Sequence, residues 1–165
     1  MDIIKFIKTH EGGYCEVKGD NGGATNKGIT LALYQHYYGA KKTKFDLKKM
    51  TDAQWLYIFN NEFWNKNNCD KIQDKNIANM LCDFAFNSGN WGPKKLQQVL
   101  GLTVDGIIGT KSLQSINNYP NQEELFNLYK NARMQYLCNI VKTHPSQKKF
   151  LNGWIKRVYD IKYEA

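Results

Sequence analysis

The stretch His10–Thr30, HEGGYCEVKGDNGGATNKGIT, decides how this chain reads: six of its 21 residues are glycine, with Glu11 at its front and Asp20 in its middle. Just upstream, Ile3, Ile4, Phe6 and Ile7 recur at the spacing of an amphipathic helix over residues 2–10. Glu11 sits at the end of that helix. Gly12 and Gly13 stop it, and Gly19, Gly22, Gly23 and Gly28 keep the following stretch irregular or in short strands. A helix end followed by a glycine-bent return makes it easy for two carboxylates nine positions apart to face one gap.

Working outward, Thr30 caps a helix through LALYQHYY that ends at Gly39, and the lysine-rich KKTKFDLKK reads as a loop. Thr51 opens TDAQ, a capping-box pattern with Gln54, and Trp55, Ile58, Phe59, Glu62 and Phe63 mark the helix behind it. Asp74 caps a further helix whose apolar face carries Ile77, Met80, Leu81, Phe84 and Ala85 and which runs to Asn87-Ser88-Gly89. Trp91-Gly92-Pro93 punctuates the chain, and Pro93 suits the first turn of a helix through KKLQQVL closed by Gly101. LTVDGIIG connects it to a helix through TKSLQSIN, ended by Pro120. A long helix with Leu125, Leu128, Tyr129, Ala132 and Tyr136 then stops near Pro145, and a last one carries Phe150, Trp154, Val158 and Ile161. The chain is mainly α, without internal repeat or low-complexity linker.

Its 165 residues suffice for a sizeable core. Cys15, Cys69, Cys82 and Cys138 are irregularly spaced with no C-x-x-C pair, which argues against a zinc ribbon or a thioredoxin-like motif and for reduced thiols. The opening MDIIKFIKTHEGG has no cleavable apolar region, and no segment approaches the ~18 unbroken apolar residues of a membrane span. The expectation is a soluble, monomeric protein that stays cytoplasmic until it is released to the periplasm or wall. The net charge of +8 biases it toward polyanions. Of 23 basic residues only Arg133 and Arg157 are arginine, so bidentate recognition of bases or phosphates is weak and no nucleic-acid partner is expected. A diffuse lysine charge fits an anionic envelope equally well, and serves solubility as well.

Paired carboxyls in differing environments are the equipment of glycoside hydrolysis, in which one protonates the leaving oxygen and the other handles water or the sugar cation. Glu11, where a helix packs on the body of the protein, suits the acid, whereas Asp20, in a polar loop, stays ionised more readily. Thr25 adds a hydroxyl to hold the water. From spacing alone, Glu11 reads equally as a solvated helix end and Asp20 as a turn former before Asn21-Gly22. The ladder of acids of a calcium-binding EF-hand is absent, His10, His36 and His144 lack metal-ligand spacing, and there is no phosphate-cradling G-x-x-x-x-G-K-[ST]. No cofactor or metal is implied. Sugar recognition calls for aromatic faces and amides, and Tyr14, Asn87 and Trp91 are the candidates.

The runs HEGGY and D-x-GGATNKGIT resemble glycoside hydrolase family 108, a group of phage and prophage muramidases in the lysozyme-like superfamily. LCDFAFNSGN, Leu81 to Asn90, resembles that family's second block. The resemblance implies a lysozyme-like helical fold with a small glycine-rich loop or β element after the first helix. It implies Glu11 as catalytic acid, and Asp20 and Thr25 as partners that position water. Where the family commonly has Asp-Pro-Gly-Gly, this chain has Asp20-Asn21-Gly22-Gly23, which makes the loop looser. Lys94 to Asn117, with its Q-x-x-LG and DG-x-x-G pattern, is similar to the predicted peptidoglycan-binding domain that follows such catalytic regions. The same pattern also reads as pure architecture: a tight turn at Asp105-Gly106 and Gly109, with Leu100, Leu102, Val104, Ile107 and Ile108 in the core.

Together these imply a muramidase region, 1–92, and a helical peptidoglycan-binding-like region, 93–165, packed into one compact unit. The expected activity is hydrolysis of the MurNAc–GlcNAc bond of peptidoglycan glycan strands. A carboxyl separation of ~6.5–9.5 Å would give inversion and one near ~5 Å a covalent route. Access to the wall would depend on a holin or a secretion system, as for an endolysin. The rival reading is a non-catalytic peptidoglycan-binding or secretion-associated protein.

Overall fold

The carboxylate of Asp2 accepts the backbone N–H groups of Ile4 and Lys5 at 3.0 and 3.1 Å and so starts α1, Ile3–His10. Ile3 and Ile7 turn the apolar face of this helix inward. The computed structural model describes residues 1–16 and 23–164, which lie in two compact units, Asp2–Lys66 and Asn67–Ala165 with Met1.

In the first unit a three-stranded antiparallel sheet follows α1, with β1 Cys15–Glu16, β2 Ala24–Asn26 and β3 Ile29–Thr30 in that order. Thr25 lies opposite Cys15 on one side and Thr30 on the other. Lys27 and Gly28, both at positive φ (48° and 77°), form the tight turn between β2 and β3. The indole N–H of Trp55 donates to the Lys27 carbonyl at 2.9 Å and holds that turn from beneath. Thr30 then caps α2, Leu31–Tyr38, by accepting from the Leu33 N–H.

KKTKFDLKK is not a loop. It contains α3, Lys44–Lys48, started by a reciprocal capping box in which Thr43 and Asp46 satisfy each other's backbone N–H groups. The lysines drew the reading toward solvent, but a single fully buried Leu47 anchors the turn, and Asn26 donates to the Leu47 and Lys48 carbonyls. Thr51 and Gln54 form the expected capping box of α4, Asp52–Phe59. Beyond Phe59 the helix widens into a π-helical turn, Asn60–Asn65, instead of continuing regularly through Phe63. Trp55 and Phe59 stack with centroids 5.0 Å apart and are buried, as their spacing predicts.

The second unit is built on α5, Lys75–Ser88, capped by Asp74. Its periodicity predicts one apolar face, yet every residue from Asn76 to Ala85 is buried. A helix enclosed on all sides must satisfy its polar residues internally. Asn76 exchanges hydrogen bonds with the Glu164 backbone, Asn79 donates to the Met1 carbonyl, and Asp83 receives Arg133 and Arg157. Next comes α6, Trp91–Val99, with Pro93 in its first turn, where its missing N–H costs no bond. A Cβ on Gly92 would lie 2.8 Å from the Ala85 nitrogen, so only glycine permits this approach of α6 to α5. There follow α7, Thr110–Asn117, the long α8, Gln122–Thr143, and α9, Lys148–Asp160.

The connection between α6 and α7 departs from its reading as core. Ile108 is buried, but Leu100 and Leu102 are only partly covered, and Val104 and Ile107 are exposed, the latter at 68%. What holds the loop is polar. The buried Gln97 carboxamide accepts from the Gly106 N–H at 2.7 Å and donates to the Asp105 carboxylate and the Ile107 carbonyl. Among the described residues no helix is long and apolar enough to cross a membrane.

Candidate active site

Glu11 stands at the C-terminal cap of α1, its own N–H bonded to the Ile7 carbonyl at 3.0 Å. The helix delivers it there because Asp2 fixes one end, Ile3 and Ile7 fix the buried face, and Gly12-Gly13 release the chain at the other end. Neither glycine would bring a Cβ within 4 Å of another atom, so the backbone beside Glu11 is open. Glu11 lines a hollow of about 260 Å³ together with Lys8, Gly12, Gly13, Lys27, Asp52 and Trp55.

Three charged residues of this wall escape a reading of the sequence. Asp52, the first residue of α4, accepts from Lys27 at 2.8 Å and pairs with Lys8 at 3.4 Å. The hydrogen bonds of Lys27 and then Lys8 hold its carboxyl below the ordinary carboxylate range. Lys8 also lies 5.2 Å from the centre of the Trp55 ring. The hollow thus joins Glu11 to a second acid that stays ionised. Lys8 precedes Glu11 by one helical turn, and that spacing is the one local signal that could have paired them. Asp52 is distant in the chain and reads only as a first-turn helix acid.

Of the residues anticipated from sequence, Thr25 sits half-buried at the centre of the sheet, between buried Ala24 and Asn26, and is not part of the hollow's wall. The Tyr14 hydroxyl donates to Glu16 at 3.0 Å, and Lys48 lies 5.6 Å from its ring centre. Glu16 is in turn paired with Lys44, whose hydrogen bond lowers the pKa of its carboxyl. Asp20, with Gly19 and Gly22, lies outside the described residues. Asn87 and Trp91 belong to the second unit: Asn87 donates to the Asp83 carbonyl and lines a separate hollow, while Trp91, 46% exposed, packs on Tyr136 with centroids 5.4 Å apart. Among the described residues no three His, Cys, Asp or Glu side chains cluster as a metal site requires.

Residues 4–89 match the family model described as Glycosyl hydrolase 108, and residues 92–159 match that of a Predicted Peptidoglycan domain. No curated protein matches. Among solved structures, that of Brucella abortus SagA is similar at a TM-score of 0.78 and 28% identity, over 98% of this chain and 94% of that one. The lysozyme-like helical fold with its small sheet after the first helix is therefore shared with SagA. The chain belongs to glycosyl hydrolase family 108, a glycosidase whose second part is a peptidoglycan domain.

Proposed function

We propose that the protein is an N-acetylmuramidase that cleaves the MurNAc–GlcNAc bond of peptidoglycan by general acid–base catalysis, with Glu11 as proton donor. The observation that carries this is the division of labour in the hollow: of its two carboxyls, Asp52 is tied to two lysines and has no proton to give, which leaves Glu11 for the acid. In the reaction Glu11 passes its proton to the leaving glycosidic oxygen as the sugar develops oxocarbenium character. Asp20 and Thr25 hold the water that completes hydrolysis. Tyr14, Asn87 and Trp91 offer the glycan aromatic faces and an amide. The wall-binding role of residues 93–165 behind a catalytic region, 1–92, belongs to the same proposal. So does the setting, an endolysin that reaches the wall through a holin or a secretion system.

The test is release of reducing ends from purified peptidoglycan by the native protein and by Glu11→Gln. Loss of a general acid lowers the rate by about 10²- to 10⁴-fold. Here that drop is expected in a variant with an unchanged circular-dichroism spectrum and melting temperature. Equal rates would remove Glu11 from the chemistry. If neither protein releases ends while both co-sediment with sacculi, the protein binds the wall without cutting it.

A further inference from the structure

Four aromatic side chains of the second unit run in a row around the hollow that Asn87 lines. Trp91 of α6 packs on Tyr136 of α8 with centroids 5.4 Å apart, Tyr136 and Trp154 of α9 both wall the hollow, and Trp154 stacks on Phe150 at 6.0 Å. Trp91 and Phe150, the outer members of the row, are each 46% exposed, and Tyr136 and Trp154 between them are half-buried. A single exposed ring is ordinary on a protein surface. Four rings from three helices, gathered around one hollow of about 170 Å³, are the build of a binding site.

The rings do not stand alone. Asn87 and Ser88 belong to the same wall, and Ser88 is hydrogen-bonded to the Tyr136 hydroxyl. A sugar calls for this mixture, because its C–H face stacks on an aromatic face while its hydroxyl and acetamido groups need donors and acceptors. Both outer rings also carry cations: Lys94 and Lys95 lie 5.5 and 5.7 Å from the centre of the Trp91 ring, and Lys149 lies 4.9 Å from that of Phe150. Positive charge on either side favours an anionic glycan, and in a wall polymer the carboxylates of the stem peptides supply the negative charge. Tyr136, Phe150 and Trp154 fall within the residues matched to the Predicted Peptidoglycan domain. We infer that this row of rings is the glycan-binding site of the second unit, on which the sugars of a stem-bearing peptidoglycan strand lie with their stem carboxylates met by the lysines. The inference rests on peptidoglycan as the substrate and adds Tyr136, Phe150 and Trp154 to the residues that hold it.

The chain's four tryptophans make the site easy to watch, because an NMR spectrum of indole N–H groups contains one signal for each, with those of the row assigned by Trp91→Phe and Trp154→Phe. The probe is a tetrasaccharide of alternating N-acetylglucosamine and N-acetylmuramic acid that carries its stem peptides, titrated into Glu11→Gln so that it stays uncut. The Trp91 and Trp154 signals are expected to shift saturably with one common midpoint. Phe150→Ala, at an exposed position where folding survives, is expected to weaken that midpoint by roughly 2- to 10-fold, the worth of one aromatic face, at an unchanged melting temperature. Leu128→Ala, comparably exposed on α8 but outside the row, is expected to leave it in place. Signals of Trp91 and Trp154 that stay put at millimolar tetrasaccharide overturn the site, as does an unchanged midpoint in Phe150→Ala or an equal shift by the free stem peptide. Trp55, in the wall of the Glu11 hollow, gives the first unit its own signal, and turnover is read separately. A protein that releases reducing ends while Trp91 and Trp154 stay put sinks this inference and spares the muramidase, and one that shifts them without releasing ends does the reverse.

Discussion

Asp83 carries its charge with no exposed surface of its own, and everything around it follows from that. Burial by itself would push its carboxyl toward the neutral form; Arg133 and Arg157 overcome it and hold the pKa below the ordinary value. A carboxyl whose folded pKa is depressed stabilises the protein above its unfolded pKa and loses that contribution as the pH falls toward the folded value. Stability to urea is therefore expected to drop as the pH falls below about 4. Asp83→Asn leaves two guanidinium groups without their shared carboxylate and is expected to cost about 3–5 kcal/mol at neutral pH. It should also flatten the acid limb, and a steep limb retained in the variant would assign it to other carboxylates. At this scale Glu11 was legible, because a helix pattern ending at an acid before two glycines is a local signal. Asp52, Lys8 and Lys27 became a set only when α4 was laid against the glycine-rich turn.

At the scale of elements, caps were readable and surroundings were not. Thr30, Thr51 and Asp74 start their helices as their side chains dictate, since a cap needs only the next three residues. The same logic places α3, where Thr43 and Asp46 outweigh the run of lysines. The burial of α5 from Asn76 to Ala85 was hidden, because Asn76, Asn79 and Asp83 look like a solvent face until their partners arrive from the chain termini, α8 and α9. The α5–α6 crossing gives a sharp prediction. Gly92→Ala drives a Cβ into the backbone of Ala85, which cannot swing aside, and is expected to cost about 1–3 kcal/mol. A melting temperature lower by about 2–4 °C for each kcal/mol checks it. Gly153→Ala, in α9 with open space at its Cβ, is expected to leave the melting temperature unchanged or raise it. Equal losses in the two variants would mean that the close approach is not what demands glycine at position 92.

At the scale of the whole molecule, the +8 charge is displayed by lysine, because both arginines are buried at Asp83. Lysine is a compact, hydrated point charge without a fork geometry, suited to a diffuse anionic polymer rather than to bidentate reading. Attraction of that kind is screened, with a Debye length near ~10 Å at 0.1 M salt and ~3 Å at 1 M. Co-sedimentation of Glu11→Gln with sacculi is expected to weaken progressively across that salt range. Retention that ignores salt would place the affinity in pockets and aromatic faces instead.

The sequence by itself determined the order and type of most helices, the break after Glu11, and the motif blocks that mark the family, because caps, glycines and apolar periods act over a few residues. The Q-x-x-LG and DG-x-x-G pattern was equally visible, but its physical meaning came from the fold: Gln97 is a brace for the loop, and Val104 and Ile107, apolar enough to be taken for core, face solvent. Tertiary structure alone decided that Asp52 joins Glu11 in one hollow and that Arg133 and Arg157 meet on the buried Asp83. Both depend on long-range packing, where a residue's partners are set by which helices meet and not by its neighbours in the chain.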